Sequence, residues 1–256
     1  MSGRENTHSC ISLTQNAGVA RIVISHPPVN ALGGECLEEL EQSLTAVARD
    51  PAVRALIVAG TPGIFSAGAD VKEYAGLSVE DALANFATAH RALLLIEEMP
   101  KVVVAAVTGH AVGGGLELAL ACDLRVCVDS ATLGLPEIEM GWIPCWGALR
   151  RLPRVVGEGK ARWMILTGER LSAEKAEAIG LVDLVVTPEE VDSVVDHIAA
   201  SAAGKSPYAV GALKRLLPTL AVGGPLEDRE AELNATAALI HTEELQRGRD
   251  GFLTKS

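Results

Sequence analysis

Glu117 lies in the segment GHAVGGGLELALACD, Gly109 to Asp123, just after three consecutive glycines and inside a run of Leu and Ala. Neither choice serves stability. Each glycine costs a helix about 1 kcal/mol relative to alanine, and an acid among apolar residues is expensive to bury unpaired. Strand, glycines, helix is how many phosphate sites begin, but both phosphate patterns fail. Gly109 and Gly114 have the separation of GxxxxGK[ST], yet Gly115 and Leu116 stand where Lys and Ser/Thr are required. Gly113 and Gly115 begin a GxGxxG that puts Leu118 at its third glycine, although Glu137 lies at a suitable distance for a ribose-binding acid. What remains is the chemistry of a bare helix start. Its N–H groups and positive dipole end face an oxygen that gains negative charge, and glycine keeps a Cβ out of that oxygen's way. A thioester carbonyl becoming an enolate is such an oxygen. The loop FSAGAD offers a second donor, the N–H of Ala67 beside Gly68. Alone, each loop reads as a tight turn; together they read as an oxyanion hole.

The other reactive side chains also have plain readings. Glu117, three residues after Gly114, fits a first-turn acid favoured by the dipole. Glu137, between Pro136 and Ile138, fits an exposed turn acid, and Glu139 an ordinary surface acid. Asp70 has no clustered ligand around it and is expected to cap a turn rather than hold a metal. His26, His90 and His110 are expected to be structural, since none sits in a Ser or Cys nucleophile pattern. Cys10, Cys36, Cys122, Cys127 and Cys145 form an odd set without CxxC spacing. Neither a disulfide framework nor a structural zinc is therefore expected, and most should be inert core thiols.

These residues need elements to position them. ISLTQ and GVARIVIS, divided by Asn16, Ala17 and Gly18, read as a hairpin. GECLEELEQSLTAVARD carries Leu37, Leu40, Leu44 and Val47 at helical spacing. RALIVAG and VVVAAVTG read as buried strands, TPGIFSAGAD as a loop, GGGLELALA as a short helix and DLRVCV as another strand. SVED opens a helix with Ser78 as cap and Asp81 in place of the usual Glu, and Pro100 stops it. Beyond Leu149 the pattern turns helical, broken by Gly180 and a brief strand LVDLVV, and PEEVDSVVDHIAASAAG starts at a first-turn proline. PLEDREAELNATAALIHTEELQRG reads as one long helix with Leu226, Leu233, Ala237 and Ile240 on a face that needs a partner. The order of elements gives an α/β core, with the only visible boundary near Val186 to Glu190. The expected division is therefore residues 1–188 and 189–256.

Composition sets limits on partners. With 22 Lys and Arg against 33 Asp and Glu, the net charge is -11 and no basic stripe offsets it. Nucleic acid and anionic membranes are poor partners for such a chain. The start MSGRENTHSCISLTQ lacks a charged and then apolar leader, and no apolar run is long enough to cross a bilayer, so a cytoplasmic protein is expected. Aromatics make up 3% of the chain, which leaves the core to Val, Ile, Leu and Ala.

FSAGADVKEYA, then VTGHAVGGGLELALACDLRVC, then ATLGLPEIEMGWIP, together resemble the enoyl-CoA hydratase/isomerase (crotonase) superfamily, over a stretch from PPVNAL to LTGERLSAEKAEAIGLVD. The resemblance implies an α/β crotonase-like spiral of ββα units, a C-terminal helical trimerisation region and a coenzyme A thioester as substrate. It places the oxyanion donors on Ala67 and Gly114 and two hydratase glutamates on Glu117 and Glu137. In the family the first of these activates water and the second donates a proton. Val29 and Ala31 would border the coenzyme. Ser66, Gly68, Ala69, Asp70, Gly113 and Lys72 join the substrate-binding set, Lys72 standing in for a basic C-terminal segment of which only Lys255 remains. No metal or redox cofactor is implied.

The chain departs from many hydratases after Pro144, where Cys145 and Trp146 replace a glycine-rich run and would reshape the acyl pocket. Trp146 reads equally as core filler or pocket wall, and Cys145 as packing. The expected reaction is hydration of a 2-enoyl-CoA, or its reverse, by a homotrimer or dimer of trimers. The alternatives are isomerase, thioester hydrolase or lyase chemistry at the same site, or a non-catalytic acyl-CoA-binding scaffold.

Overall fold

The computed structural model describes residues 9–219, 225–240 and 242–253. The leader-free start expected at residues 1–8 and Lys255 lie outside the described residues. β1 (Ile11–Asn16) and β2 (Val19–Ile24) form the expected hairpin, turned by Ala17 at φ 47° and Gly18 at φ 81°. The short β3 (Ala31–Leu32) leads into α1 (Gly34–Arg49), which buries Leu37, Leu40, Leu44 and Val47 as their spacing predicts.

The body is then built by repetition of one unit, two strands followed by helix. β4 (Ala55–Ala59) and β5 (Gly63–Ser66) are followed by β6 (Gly68–Ala69), α2 (Val71–Tyr74) and α3 (Val79–Glu98). β7 (Val102–Val107) and β8 (Gly109–Val112) precede α4 (Gly114–Ala121). β9 (Leu124–Val128) and β10 (Thr132–Gly134) precede a 3-10 turn at Pro136–Met140 and α5 (Ala148–Thr167). The first strand of each unit enters a six-stranded sheet and the second enters a four-stranded one, where β5, β8 and β10 lie side by side. The chain therefore winds as a spiral. Its inner strands pair in parallel, and β4 is buried along its whole length, as a sheet covered on both faces requires.

Several expectations change. TPGIFSAGAD is not a loop throughout: Gly63–Ser66 and Gly68–Ala69 are strands, short enough to hide their period. β11 (Arg170–Ser172), antiparallel to β10, completes the smaller sheet, ahead of α6 (Ala173–Ala178) and β12 (Leu184–Val186). Helix α7 (Val191–Ala203) begins after Pro188 rather than on it. It buries Val191, Val195 and Ala199 against the sheet, so the helix just past the expected boundary at 188 belongs to the core. α8 (Pro207–Leu216) is tied down by Lys214, whose Nζ meets Asp123 Oδ2 at 2.7 Å and donates to the carbonyls of Ile96 and Lys101. The long final helix is two, α9 (Pro225–Leu239) and α10 (Glu243–Leu253).

The cysteines bring the clearest correction. Cys10 and Cys36 form a disulfide that ties the start of β1 to α1. Spacing alone hides it, because the pair meets only when the strand packs on the helix. His26 lies beside it, with Nδ1 2.7 Å from the Ala31 carbonyl oxygen and 3.7 Å from Cys36 Sγ. Cys122 and Cys127 are buried core thiols, as expected. Among the described residues, no helix is long and apolar enough to cross a membrane.

Candidate active site

The site forms where the second and third repeats meet. Gly113 caps α4 with φ 56°, a conformation that excludes most side chains, and a Cβ there would stand 3.1 Å from Glu137 Oε1. Gly115 faces the Ser66 carbonyl so closely that any Cβ would collide with it. Gly114 has the Trp146 ring against its Cα in the same way. The three glycines thus admit other parts of the protein to the start of α4. No side chain caps that start, so the first N–H groups of the helix lack an acceptor within it.

The FSAGAD loop is braced rather than free. Ser66, fully buried, donates from Oγ to the Asn30 carbonyl at 2.7 Å and accepts from Gly68 N–H at 3.0 Å. Gly68 packs against the Gly114 amide, bringing the two loops together as expected. The Ala67 N–H, however, donates to the Val29 carbonyl at 3.0 Å, so it already has an acceptor. Asp70 Oδ1 accepts from the N–H groups of Lys72 and Glu73 and so caps the start of α2. Lys72 is exposed on that short helix, Val29 is exposed, and Ala31 is half-buried. Asn30 was not legible as important. It is 1% exposed with φ 52°, and its Nδ2 reaches Thr61 Oγ1 and the Ile64 carbonyl, locking PPVNAL onto β5. An Asn in a loop tolerates positive φ, and that is the only sequence signal it carries.

Glu117 projects from the first turn of α4 and is 2% exposed. Its Oε1 accepts from Trp146 N–H at 2.7 Å and Ala148 N–H at 2.9 Å. Burial raises its pKa, while those amides and the nearby Arg151 guanidinium act in the opposite direction. Gly147 at φ 110° turns the chain so that both amides point at one oxygen. Arg151, itself buried, pins the peptide between them by donating from Nη1 to the Trp146 carbonyl at 2.6 Å, and its Nη2 meets Glu97 Oε2 at 2.8 Å. Arg150 shares Glu97.

Glu137, on the 3-10 turn, lines the same cavity as Glu117, Gly114 and Trp146, a space of about 290 Å³. Its Oε2 is buried with no hydrogen-bond partner. Burial first, and the Glu117 charge second, push its carboxyl up to about 7. The arrangement therefore joins an amide-held carboxyl group, a second carboxyl group that titrates close to neutrality and an uncapped helix start. Glu139, next door, is exposed and paired with Arg170 at 2.9 Å, the surface acid its position suggested.

Trp146 is both things expected of it, 1% exposed and a wall of the cavity. Cys145 also lines the cavity, and burial together with the Glu117 charge pushes its thiol up to about 11, which leaves it protonated and a poor nucleophile. Ala69 lines the space as well. Tyr74, Phe86 and Trp142 line it too; Tyr74 and Trp142 stand within FSAGADVKEYA and ATLGLPEIEMGWIP, but nothing local marked any of the three as a wall of the site. The only group of metal-ligating side chains among the described residues is Cys10, His26 and Cys36, where the sulfurs are bonded to each other.

A sequence model of the family described as enoyl-CoA hydratase/isomerase matches residues 14–256. A probable enoyl-CoA hydratase of Bacillus subtilis is 38% identical over 249 residues, covering 96% of each chain. A crotonyl-CoA hydratase of Syntrophomonas wolfei is 38% identical over 96% of this chain and 95% of its own. The crystal structure of an enoyl-CoA hydratase from Bacillus anthracis superposes with a TM-score of 0.91 at 34% identity, covering 96% of both chains.

Proposed function

Since the chain belongs to the enoyl-CoA hydratase/isomerase family and has the crotonase fold, we propose that it adds water across the double bond of a 2-enoyl-CoA, or removes it from the matching 3-hydroxyacyl-CoA. The observation that carries this reading is the convergence of Glu117 and Glu137 on one cavity beside Gly114. Glu117, steadied by two amides, takes a proton from water as the oxygen bonds to C3. Glu137 delivers its own proton to C2, and the proton taken from water restores the pair. The N–H of Gly114 receives the thioester oxygen as it gains charge. Ala67 joins it by sharing its hydrogen with that oxygen or releasing the Val29 carbonyl. Coenzyme A enters as part of the substrate, along Val29 and Ala31.

Positioned acid and base groups contribute about 100- to 10,000-fold each. Glu117→Gln and Glu137→Gln are therefore each expected to slow loss of the conjugated enoyl-thioester absorbance by at least about 100-fold. Full rate in both variants ends the hydratase reading. Product mass separates it from isomerisation, which adds no water.

The same reading includes a trimer or a pair of trimers. Leu226 is 74% exposed, Leu233 55% and Trp163 59%, large apolar side chains on α9 and α5 that this chain alone leaves uncovered.

A further inference from the structure

We propose that the acyl cavity is built for an aryl-conjugated acyl group, a 3-aryl-2-propenoyl thioester, rather than for a linear alkyl chain. The inference rests on the reading of the site as an enoyl-thioester hydratase and narrows its substrate class. The chain has only three Trp, three Phe and two Tyr. Two of those Trp, one Phe and one Tyr line this single cavity.

They arrive from three segments: Tyr74 from α2, Phe86 from α3, and Trp142 and Trp146 from the connection between the 3-10 turn and α5. No helical stripe or shared strand face accounts for their meeting. Core packing accounts for Trp146, which is 1% exposed, but not for Trp142, which is 45% exposed. The rings are ordered among themselves. Tyr74 and Phe86 stack with centroids 4.9 Å apart and an interplanar angle of 20°, and Trp142 meets Phe86 edge-on at 6.0 Å and 82°. Val71, Met140 and Ile143 fill in beside the rings, and no Leu lines the space.

Flat walls of this kind favour a flat guest. In a 3-aryl-2-propenoyl group the ring is coplanar with the alkene and the thioester, so it extends away from C3 as one rigid plate. Aromatic walls give such a plate stacking and edge contacts beyond the area it buries, roughly a 2- to 10-fold preference for each contact. An alkyl chain with the same number of carbons gains only from area, and it surrenders rotational freedom on entry.

The test is calorimetric binding of 3-phenylpropanoyl-CoA and nonanoyl-CoA, which have equal acyl carbon counts and no double bond to hydrate, so that the flat ring alone, without its conjugation to the thioester, is compared with an alkyl tail. The wild-type protein is expected to hold the aryl thioester about 10-fold more tightly. Tyr74→Leu and Phe86→Leu, each checked for folding by circular dichroism, are each expected to shrink that ratio roughly 2- to 10-fold. Equal or tighter binding of nonanoyl-CoA by the wild type overturns the proposal. So does a ratio that survives in every folded variant, or failure to bind either thioester. Because binding needs no turnover, aryl-selective binding without hydration of cinnamoyl-CoA would remove the hydratase reading and leave this one standing. Hydration of trans-2-nonenoyl-CoA with tighter alkyl binding would do the reverse.

Discussion

Two carboxyl groups in one cavity differ because their surroundings differ. Glu117 has two amide donors and a guanidinium near it, whereas Glu137 has a buried oxygen without a partner and a neighbouring charge. Catalysis as proposed needs Glu137 protonated, so kcat/KM is expected to fall as pH rises through about 7, with an apparent pKa that belongs to the pair. The sign for stability is the same. A carboxyl whose folded pKa is raised favours the folded state below its unfolded value, and loses that contribution as pH climbs through about 7. A pH–rate profile with no basic limb near neutrality contradicts the assignment. Arg151 acts on Glu117 through the Trp146 peptide and through its charge. Arg151→Met is expected to lower kcat about 10- to 100-fold and to move the acidic limb upward, since the carboxylate loses support. Arg151→Lys should recover part of both effects. An unmoved acidic limb in a folded Met variant would reduce Arg151 to a packing role.

At the scale of elements, short strands and tight glycines set the precision of the site. β8 and α4 can adjoin the FSAGAD loop only because Gly113, Gly114 and Gly115 leave room for Glu137, the Trp146 ring and the Ser66 carbonyl. Gly115→Ala sets a Cβ against backbone rather than against a movable side chain, and is expected to destabilise the protein by about 1 to 3 kcal/mol in urea denaturation. A midpoint equal to wild type would show that the loops can separate without cost. The longer elements were readable from period and caps: α1 from its leucines, and α3 from Ser78, which accepts from Asp81 N–H at 3.1 Å. The strands Gly63–Ser66 and Gly68–Ala69 were not, because strands this short in small residues carry no alternation to detect.

The whole molecule joins a spiral core to terminal helices of unequal attachment. α7 is sunk on the sheet and α8 is bolted through Lys214 and Asp123, while α9 leaves Leu226 and Leu233 in the open. Covering those residues with further copies removes their apolar area from water. Light scattering at micromolar concentration is expected to give three or six times the chain mass of 26.7 kDa. A monomer would mean that the apolar faces serve some other contact.

The residues by themselves determined the α/β order, helices such as α1 and α3 and the identity of the acids and small-residue loops, because periodicity, caps and local motifs are properties of neighbouring residues, whereas the spiral of ββα units was implied only by the family resemblance. Sequence alone could not determine which amides are spoken for, that Cys10 meets Cys36, that Arg151 reaches the peptide holding Glu117, or that Tyr74, Phe86 and Trp142 share one cavity. Those pairings join residues distant along the chain. Only the packing of strands and helices fixes their separations, and burial then sets the charge each acid carries.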